Sequence, residues 1–140
     1  MTRIATSIRA IVITRARYSC EYCHLHVDYG ALVHEIDHVV AQKHGGPTEL
    51  NNLAYACAQC NRLKGSNIAS TDPLTGQIIT LFNPRIDQWD EHFKHDGPTI
   101  IPLTAAGRAT ERVLQLNQVD RILLRKELIS TGRYPYQLGS

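Results

Sequence analysis

Apolar and polar positions alternate along this chain in two distinct periods, and the switches between them outline its elements. From Thr6 to about Arg17, Ile8, Ile11, Val12 and Arg15 follow helical spacing, with Thr6 or Ser7 as the N-cap. An extended stretch follows from about Leu32 to Val40, and Gly45-Gly46-Pro47 marks a loop. Asn52 to Cys57 reads as a second strand and Ala58 to Lys64 as a short helix stopped by Gly65. Beyond the Asp72-Pro73-Leu74-Thr75-Gly76 turn, Ile78 to Phe82 is a predicted strand, ended by Asn83-Pro84. A partner strand from Trp89 to Lys94 would complete a hairpin, with Leu81, Phe82, Trp89 and Phe93 as its satellite core. Thr104 caps a predicted helix to about Asn117, and a last helix runs from Val119 to Thr131 with Gly132 as its stop. Val113, Leu116, Ile122, Leu123 and Ile129 are the expected apolar faces of that helix pair, and the tail from Arg133 to Ser140 is expected to fray. No repeat or low-complexity segment interrupts the chain.

Length and composition add a class but no function. A chain of 140 residues, 43% hydrophobic and 20% charged, is expected to form one small globular domain whose modest core would benefit from a structural metal. The net charge of +2 neither suggests nor excludes nucleic acid, but Arg3, Arg9, Arg15 and Arg17 all precede the first acidic residue, Glu21. That basic start is either a phosphate contact or a solvated helix face. The apolar run Ile11-Val12-Ile13 is too short and too closely flanked by arginine for a signal peptide or membrane span, so the expectation is a cytoplasmic protein with no membrane partner. In that reducing compartment, paired cysteines are more often metal ligands than disulfides.

All four cysteines fall in two C-x-x-C pairs, Cys20/Cys23 and Cys57/Cys60. This spacing lets each knuckle aim two thiolates at one ion, and two knuckles complete a tetrahedral, closed Zn²⁺ site that braces the fold. A redox C-x-x-C is the rival reading, but it is usually single and opens a helix after a strand. The zinc would force the segment between the knuckles into a compact hairpin. Within it, His34-Glu35-Ile36-Asp37-His38 matches H-E-x-x-H, the pattern of a zinc protease helix. The β-branched Val33, Ile36, Val39 and Val40, the Gly-Gly-Pro loop and the closely bracketing knuckles argue for a strand instead.

Read as strand, strand and helix, the run HEIDHVVAQKHGGPTELNNLAYACAQCNRLKG resembles the core of the HNH nuclease family, including its xGG loop and C-N-x-x-K-G ending. The resemblance covers about a third of the chain, from Cys20 to Gly65. DPLTGQIITLFNPRIDQWDEHF and LTAAGRATERVLQLN are further similar to a C-terminal extension of some bacterial HNH proteins. It implies an α+β fold: a ββα-metal core at residues 20–66 with structural zinc, an N-terminal helix at 1–19 packed on it, and an extension at 67–140 comprising a small β-hairpin and C-terminal helices.

By the same resemblance, His38 is the general base that activates water, and Asp37 and Asn61 hold one catalytic Mg²⁺ or Mn²⁺. Asn52 is the middle asparagine that holds the loop so that the base is aimed. Lys64, Arg62 and Lys43 are candidate phosphate contacts on DNA, with Arg85 and Arg108 further along its path. The chemistry asks for such groups independently: a neutral imidazole takes a proton from water near pH 7, and hard oxygen ligands suit the cation that neutralises a scissile phosphate. Two departures from the family stand out, Ala41 where a proline is common and asparagine at the third motif position. His34 is expected to be structural, and His24 is a candidate additional zinc ligand, although the four cysteines already suffice. The rival function is a non-catalytic, zinc-stabilised nucleic-acid-binding module, which would not need Asp37, His38, Asn52 and Asn61 together. Sequence specificity, nicking against double-strand cutting, and monomer against homodimer are left open.

Overall fold

The computed structural model describes residues 3–136. Helix α1 (Thr6–Arg15) is the first element, and its one fully buried side chain, Val12, packs with Leu53 and Tyr55. Ile4, Ile8 and Ile13 flank that contact, and the Arg15 guanidinium donates to the Leu53 carbonyl. The helix stops at Arg15 and the chain turns sharply through Arg17 and Tyr18, both at positive φ.

The centre of the molecule is the antiparallel pair β1 (Glu35–His38) and β2 (Leu53–Ala56), with helix α2 (Ala58–Lys64) following directly. Glu35 stands opposite Ala56 and His38 opposite Leu53. Strand β1 is shorter than the expected 32–40 stretch at both ends. Leu32 and Val33 project into solvent. Beyond His38 the backbone hydrogen-bonds to Asn52 instead of continuing the ladder: Val39 N donates to the Asn52 carbonyl and Val40 N to Asn52 Oδ1, both at 2.9 Å. Gly65, at φ +50°, terminates α2 where the sequence predicted.

The C-terminal half departs more from expectation. Strand β4 (Ile78–Thr80) pairs with β3 (Ala69–Thr71) across the Asp72–Gly76 turn, not with residues 89–94. Trp89–His92 instead forms a single helical turn, α3, and Phe93–Asp96 (β5) pairs with Thr99–Pro102 (β6). The Asp72 carboxylate organises its turn by accepting from Leu74 N and Thr75 Oγ1, so the residues just before it, to which the sequence assigned no element, become the partner strand. Phe82 and Phe93 do not form a satellite core. They join Cys20, Tyr22, Cys23, Ile100, Leu114 and Leu116 in the main one.

Helix α4 (Ala105–Leu114) is capped by Thr104 Oγ1, which accepts from Gly107 N at 3.0 Å, and ends early because Gln115 is left-handed. Helix α5 (Val119–Ser130) reverses the expected polarity. Its buried residues are Arg121, Arg125 and Leu128, while Val119, Leu123 and Ile129 are exposed. The arginines reach inward because each finds acceptors there. Arg121 donates to the Leu114 carbonyl, and Arg125 to the carbonyls of Pro98 and Leu116. Residues 137–140 of the expected frayed tail lie outside the described residues. No helix among the described residues is long and apolar enough to cross a membrane.

Candidate active site

The two knuckles converge as their spacing demands. All four cysteines are buried, and their sulfurs lie within 4.8 Å of one another, with Cys23 Sγ and Cys57 Sγ 3.7 Å apart. Tetrahedral zinc with Zn–S bonds of about 2.3 Å puts sulfurs roughly 3.8 Å apart, so the four fit a zinc knuckle. Cys23 N approaches Cys20 Sγ and Cys60 N approaches Cys57 Sγ, both at 3.4 Å, donors that favour thiolates. Arg121 Nη2 adds a charged donor 2.9 Å from Cys60 Sγ, which offsets part of the negative charge of four thiolates around one dication. His24 stands apart from this set. Its Nδ1 meets His95 Nε2 at 3.1 Å, its ring packs on Trp89, and burial followed by the neighbouring His95 lowers its pKa to about 4, leaving it a neutral packing group.

The knuckle fixes α2 against β1, and two polar cross-links set how they face. Glu35 Oε2 accepts from Asn61 Nδ2 at 2.6 Å, and Asp37 lies 3.1 Å from Lys64 Nζ. Glu35 and Asp37 share one face of the strand by its two-residue period, as Asn61 and Lys64 share one face of the helix, a turn apart. Asp37 is only 5% exposed; its Oδ2 also accepts from Tyr22 Oη at 2.9 Å. Burial pushes the Asp37 carboxyl up, and the Lys64 ammonium and the Tyr22 hydroxyl pull against it.

Lys64 is 2% exposed and donates as well to the His38 carbonyl at 3.1 Å. An expected phosphate contact at Lys64 does not fit this placement, because its ammonium is already committed to Asp37 inside the protein. Arg62 and Lys43, by contrast, are on the surface. Arg85 pairs with Glu21 and Arg108 forms a two-pronged bond with Asp72, so neither cation of the supposed DNA path lacks a carboxylate partner.

His38 is half-buried at the end of β1, with Nε2 2.9 Å from Thr48 Oγ1 and no other side-chain hydrogen bond among the described residues. The loop that carries Thr48 is held by Asn52, 6% exposed, whose Nδ2 donates to the carbonyls of Val40 and Pro47 while Oδ1 accepts from Val40 N, all at 2.9 Å. Gly46 completes the clasp. A Cβ there would lie 1.7 Å from the Val40 carbonyl oxygen, so no other residue fits. His34 is a structural group: it is buried and its Nε2 pairs with the Leu25 carbonyl at 2.8 Å. Glu35 and Asn61 open onto a cavity of about 570 Å³, with Leu25, Leu32, Leu124 and Arg62 among its walls.

With this geometry in view, residues 20–67 match the family model of the HNH endonuclease. The chain carries an HNH domain. Over 126 residues, 89% of the chain, it is 26% identical to the Septu protein PtuB of Bacillus thuringiensis, and it spans about half (46%) of that relative's length. No solved structure matches it significantly. Sequence reasoning missed Glu35, Tyr22, Thr48 and Arg121 as neighbours of the HNH site and its zinc knuckle. Only Glu35 left a signal, its position two residues before Asp37 on the same strand face.

Proposed function

We propose that this HNH domain is a metal-dependent DNA endonuclease in which His38 is the general base and Asp37 and Asn61 hold one Mg²⁺ or Mn²⁺. The observation that carries the reading is the clasp around the loop: Asn52 and Gly46 fix the chain between β1 and β2, and Thr48 on that loop fixes the His38 ring. A packing histidine would need no such support.

In this reading His38 carries its proton on Nε2 and donates it to Thr48 Oγ1, which leaves the lone pair on Nδ1 to take a proton from water. The resulting hydroxide attacks phosphorus, the bond from phosphorus to the 3′-oxygen breaks, and solvent returns a proton to that oxygen. The donor set is chemically suited to a hard dication: an Asp carboxylate and an Asn amide oxygen on facing elements, with α2 held still by the knuckle. A carboxylate has about four acceptor positions, so the bonds from Lys64 and Tyr22 leave Asp37 capacity for a further partner. The bound cation supplies neutralisation of the charge that develops on the scissile phosphate. Arg62 and Lys43 are the phosphate contacts.

Supercoiled plasmid incubated with the zinc-loaded protein tests this directly. Relaxed or linear DNA is expected with Mg²⁺ or Mn²⁺ and none with EDTA at a dose that leaves the zinc bound. Binding without metal-stimulated cleavage would instead support a non-catalytic DNA-binding module.

A further inference from the structure

Asparagine is an unsymmetrical ligand: its amide oxygen can hold a hard cation, but its NH₂ end cannot. A site that uses Asn61 therefore needs something to decide which end faces the metal. Glu35 makes that decision. Its Oε2 lies 2.6 Å from Asn61 Nδ2, and a carboxylate only accepts, so the NH₂ end turns to Glu35 and Oδ1 is presented away from it. We propose that Glu35 is a positioning residue for Asn61, holding the side-chain amide so that its oxygen meets the divalent cation. The inference rests on the nuclease reading above and adds a residue to it.

Glu35 is well placed for this role. Its carboxylate has no other hydrogen-bond or ion-pair partner among the described residues, so nothing competes for it. Glu35 is exposed to solvent and lines the same cavity as Asn61. The neighbouring cross-link from Asp37 to Lys64 holds the register of α2 on β1 without it, so substitution of Glu35 leaves the helix in place.

The test is Mn²⁺ affinity by isothermal titration, on zinc-loaded proteins with matching thermal melts. Glu35→Gln can donate to Asn61 Oδ1 and so allows the wrong end to face the metal. It is expected to lose on the order of 10- to 100-fold in affinity, as supporting residues around metal ligands do. Adding Asn61→Asp to that variant should restore most of the loss, since Asp offers oxygen at both ends: one accepts from the introduced glutamine amide and the other meets the cation. Wild-type affinity in Glu35→Gln would overturn the positioning role, and so would failure of the double variant to recover. Should Asn61→Ala bind Mn²⁺ as well as wild type does, the metal role of Asn61 fails first and the inference with it.

Discussion

Lys64 illustrates how a residue's type can be read correctly and its task misread. In the sequence it is a basic residue beside the candidate metal ligands; in the fold it is the buried counter-ion of Asp37. Removing one partner of a buried pair leaves the other charge without compensation and typically costs about 3–5 kcal/mol. Lys64→Met is expected to lower unfolding free energy by that order in a urea titration, whereas a surface phosphate contact would leave it unchanged. Asn52 supports a second prediction at the same scale. Asn52→Ala strands the Val40 N–H and frees two carbonyls, so it should destabilise the domain by roughly 1–3 kcal/mol. It should also lower cleavage rate more than DNA affinity, because the clasp aims His38 while Arg62, one of the two proposed phosphate contacts, stands on α2 outside the loop. Equal losses in both would contradict that division.

At the scale of elements, legibility follows how local the cause is. Helix α2 is found with its predicted ends because Cys57 caps it and Gly65 stops it, both signals carried by adjacent residues. The knuckles are legible for the same reason. The β3–β4 pairing and the arginine face of α5 depend on partners far along the chain. Arg108 braces the Asp72 turn from 36 residues away, and Arg121 reaches Cys60 across 61. No window of periodicity contains such information, and the exposed Leu123 and Ile129 pointed to the wrong face. The Asp72 turn carries its own test. Arg108 holds the Asp72 carboxyl well below the usual carboxylate range. Its stabilisation is therefore complete above the ordinary value near pH 4 and falls away as pH drops toward the depressed one. Melting temperature should fall less steeply below about pH 4 in Asp72→Asn than in wild type.

The whole molecule is organised around the knuckle. Cys20, Cys23, Cys57 and Cys60 sit in the same apolar cluster as Phe82, Phe93, Ile100 and Leu114, and Arg121 ties the last helix to the sulfurs. Residues from both halves of the chain thus share one centre, although the cysteines all lie in the first half. With a metal there, folding and metal binding are one equilibrium. Stripping zinc with a strong chelator should unfold the protein cooperatively, α5 included. Tryptophan fluorescence and far-UV circular dichroism should change together, whereas an independently stable C-terminal half would leave much of the helical signal intact. Arg121→Met should release zinc faster without changing how many ions are bound. Of the candidate site, the residue types and their hairpin-and-helix frame were legible in the sequence. The orientation of each side chain was not, since that is set by Tyr22, Thr48 and Glu35 through contacts only the fold creates.

The most direct test of the central claim is cleavage of supercoiled plasmid by His38→Ala beside wild type, in Mn²⁺, with zinc content and melting temperature matched. Wild type should convert the plasmid to open-circular or linear DNA, and the variant should lose at least about 100-fold in rate, the usual contribution of a general base, while still shifting DNA in a gel. Cleavage by His38→Ala at the wild-type rate would contradict the account.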